Sequence, residues 1–131
     1  MRAAKHPLAI DTILIVEDDV FISMDAADAV AGAGVNVITA ETVRDALDIL
    51  ENEHISAAIL DFNVRDGDVT PVVRQLRRLG IPFRIVSGSP LKEIEANGIP
   101  QELCAPKPAD YVKVLASLMC DRPWTKLRSR H

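Results

Sequence analysis

Short apolar runs alternate along the chain with longer segments in which apolar residues recur every three or four positions. Short runs of this kind are typical of strands buried on both faces, and the longer segments are typical of helices with one apolar face. The runs predict strands at 13–16, 35–39, 57–60, 82–87 and 103–105. The periodic segments predict helices at 20–31, from residue 42 to about 50, at 70–79, at 91–96 and at 109–119.

Capping residues and glycines set the predicted ends of several helices. Thr42 is predicted to cap the second helix, and Thr70 to cap the third, with Pro71 in its first turn. Gly80 ends the third helix. The apolar faces of the third and last helices are predicted to contain Val72, Val73, Leu76, Leu79, and Tyr111, Val112, Leu115, Leu118, Met119, respectively.

The alternation of strands and helices predicts a single α/β domain. Strand–helix–strand connections are right-handed, so the sheet is expected to be mostly parallel with helices on both faces. The length of 131 residues, with 48% apolar and 26% charged residues, is typical of one globular domain. We assign residues 11–120 to this domain, 1–10 to an N-terminal extension and 121–131 to a basic tail.

Charge and composition exclude several classes of protein. The net charge is −4, made of +3 in residues 121–131 and −7 in the rest, so direct binding to nucleic acid is not expected. No apolar run approaches the ~18 residues of a membrane span, and the N-terminus lacks the apolar segment of a secretory signal. We therefore expect a cytoplasmic protein in which Cys104 and Cys120 are reduced thiols.

Polar residues follow most of the predicted strands, at the edge where open parallel sheets carry their functional crevice. They are Glu17, Asp18 and Asp19 after the first strand, Asp61 and Asn63 after the third, Ser87 at the end of the fourth and Lys107 after the fifth. Taken alone, most of them also have a structural interpretation: a cap of the first helix for Asp18 or Asp19, an ordinary loop residue for Asp61, a turn residue for Ser87, and a surface charge for Lys107.

Several carboxylates at one edge need compensation, because two charges ~4 Å apart repel by about 4 kcal/mol at an effective dielectric near 20. Mg²⁺ prefers oxygen ligands and takes one or two protein carboxylates together with water. With Lys107 and the Ser87 hydroxyl nearby, such a site is suited to a phosphoryl group.

The ordered set of motifs resembles the receiver domain of two-component response regulators, over about residues 11–120. Residues 13–18 match the family's first strand and acidic pair, and residues 59–61 match the strand that ends in the phospho-accepting aspartate. Ser87 is similar to the family's Ser/Thr position, and Lys107-Pro108 to its lysine and proline. The resemblance implies a flavodoxin-like sheet of five parallel strands in the order 2-1-3-4-5.

The resemblance also implies a metal site and a phosphoryl acceptor. Asp61 would accept a phosphoryl group from the phosphohistidine of a histidine kinase or histidine phosphotransferase. Magnesium is the implied cofactor, bound by the carboxylates of Asp18 and Asp61 and the backbone carbonyl of Asn63, with Glu17 acting through water. Such a protein catalyses its own phosphorylation and dephosphorylation without being a classical enzyme.

The implied output is a change of binding surface. Lys107 and Ser87 would contact the phosphoryl oxygens, and the peptide bond between Lys107 and Pro108 would be cis. No output domain is expected, so the segment 88–105 and the last helix would bind an unidentified downstream protein, and the last helix could also form a homodimer.

The chain departs from the family pattern after the phosphoacceptor and before the lysine. Asp66-Gly67 follows Asp61 sooner than the Asp-Gly of the family pattern, and no proline stands between Asp61 and Asp66. Cys104 stands where an aromatic residue is common in the family. The pattern Pro82-Phe83 followed by Ser87-Gly88 resembles a subgroup of single-domain receivers. An alternative is therefore a phosphorylation-independent interaction module, whereas an aspartyl phosphatase is disfavoured because Asn63 stands where that class has a second acid.

Overall fold

The computed structural model describes residues 11–121, so the predicted N-terminal extension and all but the first residue of the predicted tail lie outside the described residues. The strands are β1 (Thr12–Val16), β2 (Asn36–Ala40), β3 (Ala57–Leu60), β4 (Asn63–Val64), β5 (Gly67–Asp68), β6 (Phe83–Ser87) and β7 (Cys104–Pro106). The helices are α1 (Val20–Ala31), α2 (Val43–Asn52), α3 (Thr70–Leu79), α4 (Leu91–Ala96) and α5 (Tyr111–Asp121), with a 3₁₀ turn at Gln101–Leu103.

Five of the strands form one parallel sheet in the order β2-β1-β3-β6-β7. In chain order these are the five predicted strands, so the predicted α/β fold and strand order 2-1-3-4-5 are confirmed. The ends of elements differ slightly: β2, β6 and β7 begin one residue later than predicted, and α5 begins at Tyr111 rather than near residue 109.

The central strands β1 and β3 are almost entirely apolar and buried because both faces of the sheet are covered. Leu14 and Val16 of β1 pack on one face with residues of α2, α3 and α4. Ile13 and Ile15, which point the other way, pack with residues of α1 and α5. No helix among residues 11–121 is long and apolar enough to span a membrane.

Three predictions about helix residues are wrong. Thr70 does not cap α3 but is its first residue, and the Thr70 N–H instead donates to Asp68 Oδ1 at 2.9 Å. Leu79, in the last turn of α3, is half exposed, as is Val112 on α5. Val114 is buried on α5 instead, because it lies three residues after Tyr111 and four before Leu118 and so shares their buried face.

The pattern of apolar residues did not predict the hairpin formed by β4 and β5. These two-residue strands pair antiparallel between β3 and α3, with Asn63 opposite Asp68 and Val64 opposite Gly67. Gly67 has φ of 138°, a backbone conformation that other residues rarely adopt. The hairpin places the segment that follows Asp61 against the start of α2.

Candidate functional site

Backbone hydrogen bonds beyond the strand ends bring the predicted site residues to one edge of the sheet. The Glu17 N–H donates to the Ala40 carbonyl at 2.9 Å, and the Asp61 N–H donates to the Val16 carbonyl at 2.9 Å. The Lys107 N–H donates to the Ser87 carbonyl at 3.1 Å. The ladder therefore continues past the strands and fixes where these side chains begin.

The carboxylates of Glu17, Asp18 and Asp61 form a cluster in which one oxygen from each lies within 4.8 Å of the others. Asp19 does not belong to this cluster, because its Oδ1 accepts from the N–H groups of Phe21 and Ile22, each at 3.0 Å, and caps α1. The sequence left open whether Asp18 or Asp19 is the cap, and the structure assigns the cap to Asp19. Asp18 is thereby left beside the other two acids.

Lys107 lies across the acidic cluster. Its Nζ donates to Glu17 Oε1 at 2.6 Å and to Asp61 Oδ2 at 3.1 Å. The peptide bond between Lys107 and Pro108 is cis, as predicted. Among the described residues, one ammonium group therefore contacts two of the three clustered carboxylates, and the cluster keeps a net negative charge when all its groups are ionised.

Burial and ion pairing shift the pKa values of this pair. Burial raises the pKa of Glu17 above its ordinary 4.5, since desolvation outweighs the hydrogen bonds from Lys107 and from the Asp19 N–H. Burial alone would lower the pKa of Lys107, but its hydrogen bonds to Glu17 and Asp61 and their charges outweigh this effect. The Lys107 pKa therefore lies above its ordinary 10.5, and the ammonium stays protonated at neutral pH.

Ser87 is only 5% exposed and belongs to a short chain of hydrogen bonds. Its Oγ accepts from the Ser89 N–H at 3.0 Å, and the Ser89 Oγ accepts from the Asn63 Nδ2 at 2.8 Å. The segment after Asp61 is thus joined through two serines to the loop before α4.

The donor set fits a hard divalent cation. Three carboxylates converge at the sheet edge, and oxygen is the ligand type that Mg²⁺ prefers. No histidine or cysteine belongs to the cluster, as far as residues 11–121 show, so a soft transition metal is disfavoured. Asp18 and Asp61 are partly exposed, so an ion bound to them could also take water ligands.

Comparison with solved structures identifies the fold. A CheY-like response regulator receiver domain protein of Methanospirillum hungatei JF-1 has a TM-score of 0.80 and 22% identity, over 92% of this chain and 99% of that one. A response regulator receiver protein of Sinorhizobium medicae WSM419 gives 0.77 and 22%, over 86% and 94%. The receiver domain of the PhyR response regulator of Erythrobacter litoralis gives 0.77 and 20%, over 89% and 95%.

The chain has the receiver fold. No protein-family model matches the chain, and no curated protein matches it either. The likeness to receivers is therefore one of tertiary structure, at sequence identities too low to show more than the fold. The receiver fold that the motifs predicted is confirmed.

Within the receiver fold, two features of the site were not found from the sequence. One is Ser89, which links Asn63 to the Ser87 hydroxyl. A serine two residues after another in a strand-to-helix loop is a common turn signal, and this spacing could have indicated the contact. The other is Asp66, which stands out in the sequence only because Asp66-Gly67 follows Asp61 sooner than the family pattern has it.

Cys104 lines a groove of about 380 Å³ together with Ser87 and Ser89. The Cys104 Sγ donates to the Pro100 carbonyl at 3.6 Å. Ile94 and Leu91 of α4 complete the apolar wall of this groove.

Proposed function

We propose that this domain accepts a phosphoryl group on Asp61 in the presence of Mg²⁺ and then binds a partner protein through an altered surface. The observation that supports this proposal is the position of Lys107, whose ammonium contacts Asp61 at 3.1 Å within a cluster of three carboxylates. A fixed cation beside an acidic metal site is suited to binding a dianionic phosphoryl group.

The proposed metal ligands are the carboxylates of Asp18 and Asp61 and the backbone carbonyl of Asn63, with Glu17 acting through water. Their common feature is oxygen donors at one sheet edge, and the two aspartates are the more exposed members of the carboxylate cluster. A bound Mg²⁺ would neutralise charge on the phosphoryl oxygens. Glu17, which is buried and paired with Lys107 at 2.6 Å, is better placed to orient the lysine than to bind the ion directly.

The proposed reaction is an in-line displacement. A carboxylate oxygen of Asp61 attacks phosphorus, a new O–P bond forms, and the N–P bond of the donor phosphohistidine breaks, leaving the electron pair on imidazole. Lys107 holds the Asp61 carboxylate and then pairs with the phosphoryl oxygens. The Ser87 hydroxyl, which accepts from the Ser89 N–H, can still donate its own proton to one of those oxygens.

The proposed output surface consists of the segment 88–105 together with α5. If the Ser87 side chain turned to direct its proton at a phosphoryl oxygen, the oxygen that now accepts from the Ser89 N–H would move, and with it the loop before α4. The groove beside Cys104 gives α4 and its loop space to move. A histidine kinase or histidine phosphotransferase is the proposed donor, and a downstream protein or a second copy of the domain is the proposed partner.

The test is phosphorylation of the purified protein by phosphoramidate with Mg²⁺, followed by intact-mass spectrometry. We expect one phosphoryl adduct on the parent and none on Asp61→Asn, with Asp28→Asn, an exposed acid on α1, as the matched control that is labelled normally. Equal labelling of Asp61→Asn and the parent would overturn the assignment. A folded parent that neither binds Mg²⁺ nor accepts the group would favour the phosphorylation-independent interaction module.

A further inference from the structure

The start of α2 is capped from a distant part of the chain. Asp66, in the turn between β4 and β5, accepts from the Val43 N–H at 2.7 Å through Oδ1 and from the Arg44 N–H at 3.2 Å through Oδ2. The next N–H of the helix, that of Asp45, donates to the Thr42 Oγ1 at 3.0 Å. Three N–H groups that a helix start leaves without helical partners are thus satisfied. Two of them donate to a carboxylate from the loop between Asp61 and α3, which we call the phosphoacceptor loop.

A second contact joins the same two segments. The Arg65 Nη2 lies 3.1 Å from the Glu41 Oε1, and both side chains are exposed. An exposed ion pair adds little energy by itself, so the carboxylate of Asp66 is the main link. The hydrogen bonds from the Val43 and Arg44 N–H groups lower the pKa of Asp66, which keeps it ionised at neutral pH.

The turn that carries Asp66 is the exposed part of the hairpin. Strands of two residues contribute little by their own pairing. The base of the hairpin is anchored, because Val64 and Val69 are buried in the core and the Val69 N–H donates to the Phe62 carbonyl at 2.8 Å. Residues 65–67 of the turn are exposed, and the hydrogen bonds to Asp66 tie this turn to α2, whose Ala46 and Leu50 are also buried in the core.

We propose that Asp66 is a positioning residue for the metal site. Its carboxylate fixes the hairpin to α2 and thereby holds Asn63, the first residue of β4, at the position from which its carbonyl would bind Mg²⁺ beside Asp61. This inference rests on the proposed function and extends it, since Asp66 acts through Asn63 and does not touch the reacting groups.

The test compares Asp66→Ala with Thr42→Ala. Both substitutions remove side-chain oxygens that accept from N–H groups at the start of α2. Thr42 directly precedes that helix, whereas Asp66 lies in the loop after Asp61 and links this loop to the helix. Asp48→Ala, on the exposed side of α2, controls for the loss of one negative charge. The readouts are Mg²⁺ affinity by calorimetry, the phosphoramidate rate at saturating Mg²⁺, and urea unfolding.

We expect both Asp66→Ala and Thr42→Ala to lower the unfolding free energy, because each removes a cap of α2. Only Asp66→Ala should also weaken Mg²⁺ binding, by roughly tenfold, which is the lower end of the effect of residues that hold metal ligands in place. If Asp66→Ala fails to fold, Asp66→Asn, which keeps one acceptor oxygen, serves in its place with a smaller loss of affinity.

Equal Mg²⁺ affinities for the Asp66 and Thr42 variants would overturn the positioning role while leaving the proposed function intact. A parent protein that shows neither Mg²⁺ binding nor phosphorylation would overturn the proposed function and this inference with it. The two failures are therefore distinguishable in one set of measurements.

Discussion

At the scale of single residues, Lys107 has two opposing effects on the acidic cluster. Its ammonium, 2.6 Å from Glu17 and 3.1 Å from Asp61, relieves the repulsion between carboxylates and holds Asp61 in place. The same positive charge would repel a divalent cation bound at the cluster. If the proposed function holds, the lysine trades some metal affinity for a fixed cation beside Asp61.

Replacing Lys107 with alanine is therefore expected to change metal binding and phosphorylation in opposite directions. Mg²⁺ binding should tighten by roughly 30-fold, the equivalent of the ~2 kcal/mol between a divalent cation and a unit charge ~4 Å apart in water. Phosphorylation should slow by roughly 100-fold, as for the loss of one charge-stabilising donor. Calorimetry and the phosphoramidate rate check this, with Lys113→Ala on the exposed face of α5 as control. Weaker Mg²⁺ binding in Lys107→Ala would contradict it.

At the scale of elements, α3 shows where a periodic pattern stops predicting burial. Val72, Val73 and Leu76 are buried as predicted, but Leu79 is 49% exposed. Leu79 is the last residue of the helix, and with Leu50 and other residues it lines a shallow depression at the surface. A helix end extends past the surface on which it packs, so its last apolar residue is covered on one side only.

This difference predicts unequal costs for two leucines of one helix. Leu76→Ala should lower the unfolding free energy by about 2–5 kcal/mol, since it leaves a cavity in the core. Leu79→Ala should cost less than about 1 kcal/mol, because half of its surface is already in water. Urea unfolding of both variants measures this difference. Similar losses for the two leucines would show that Leu79 is buried in solution.

At the scale of the whole molecule, the site exists only in the folded chain. Glu17, Asp61 and Lys107 follow three different strands and meet because those strands are parallel neighbours or near neighbours in the sheet. An unfolded chain would not hold a metal with these groups, so binding and folding are linked. A metal ion bound at this site would therefore raise the unfolding free energy.

This linkage predicts thermal stabilisation by magnesium. At a Mg²⁺ concentration of about 100 times Kd, the unfolding free energy should rise by ~2.7 kcal/mol, which raises Tm by roughly 10 °C for a domain of this size. Differential scanning fluorimetry with and without Mg²⁺ measures the shift. Asp18→Asn should abolish most of it, and Asp28→Asn should retain it. An equal rise in Asp18→Asn and the parent would place the metal elsewhere.

The sequence by itself determined the five strands of the sheet, their alternation with helices and the set of residues at the functional edge. These properties follow from local periodicity, which records how each segment is buried. Ile13 and Ile15 pack on one face of the sheet, and Leu14 and Val16 pack on the other. A strand covered on both faces is therefore an uninterrupted apolar run, which can be recognised in the sequence alone.

Only the tertiary structure decided which atoms meet. It assigned the helix cap to Asp19 and left Asp18 in the cluster, placed Lys107 on two carboxylates, and revealed the contacts of Ser89 and Asp66. These contacts join segments far apart in the chain and depend on side-chain direction and on the exact path of short loops. Residue type and spacing do not record either property, because both arise when the elements pack.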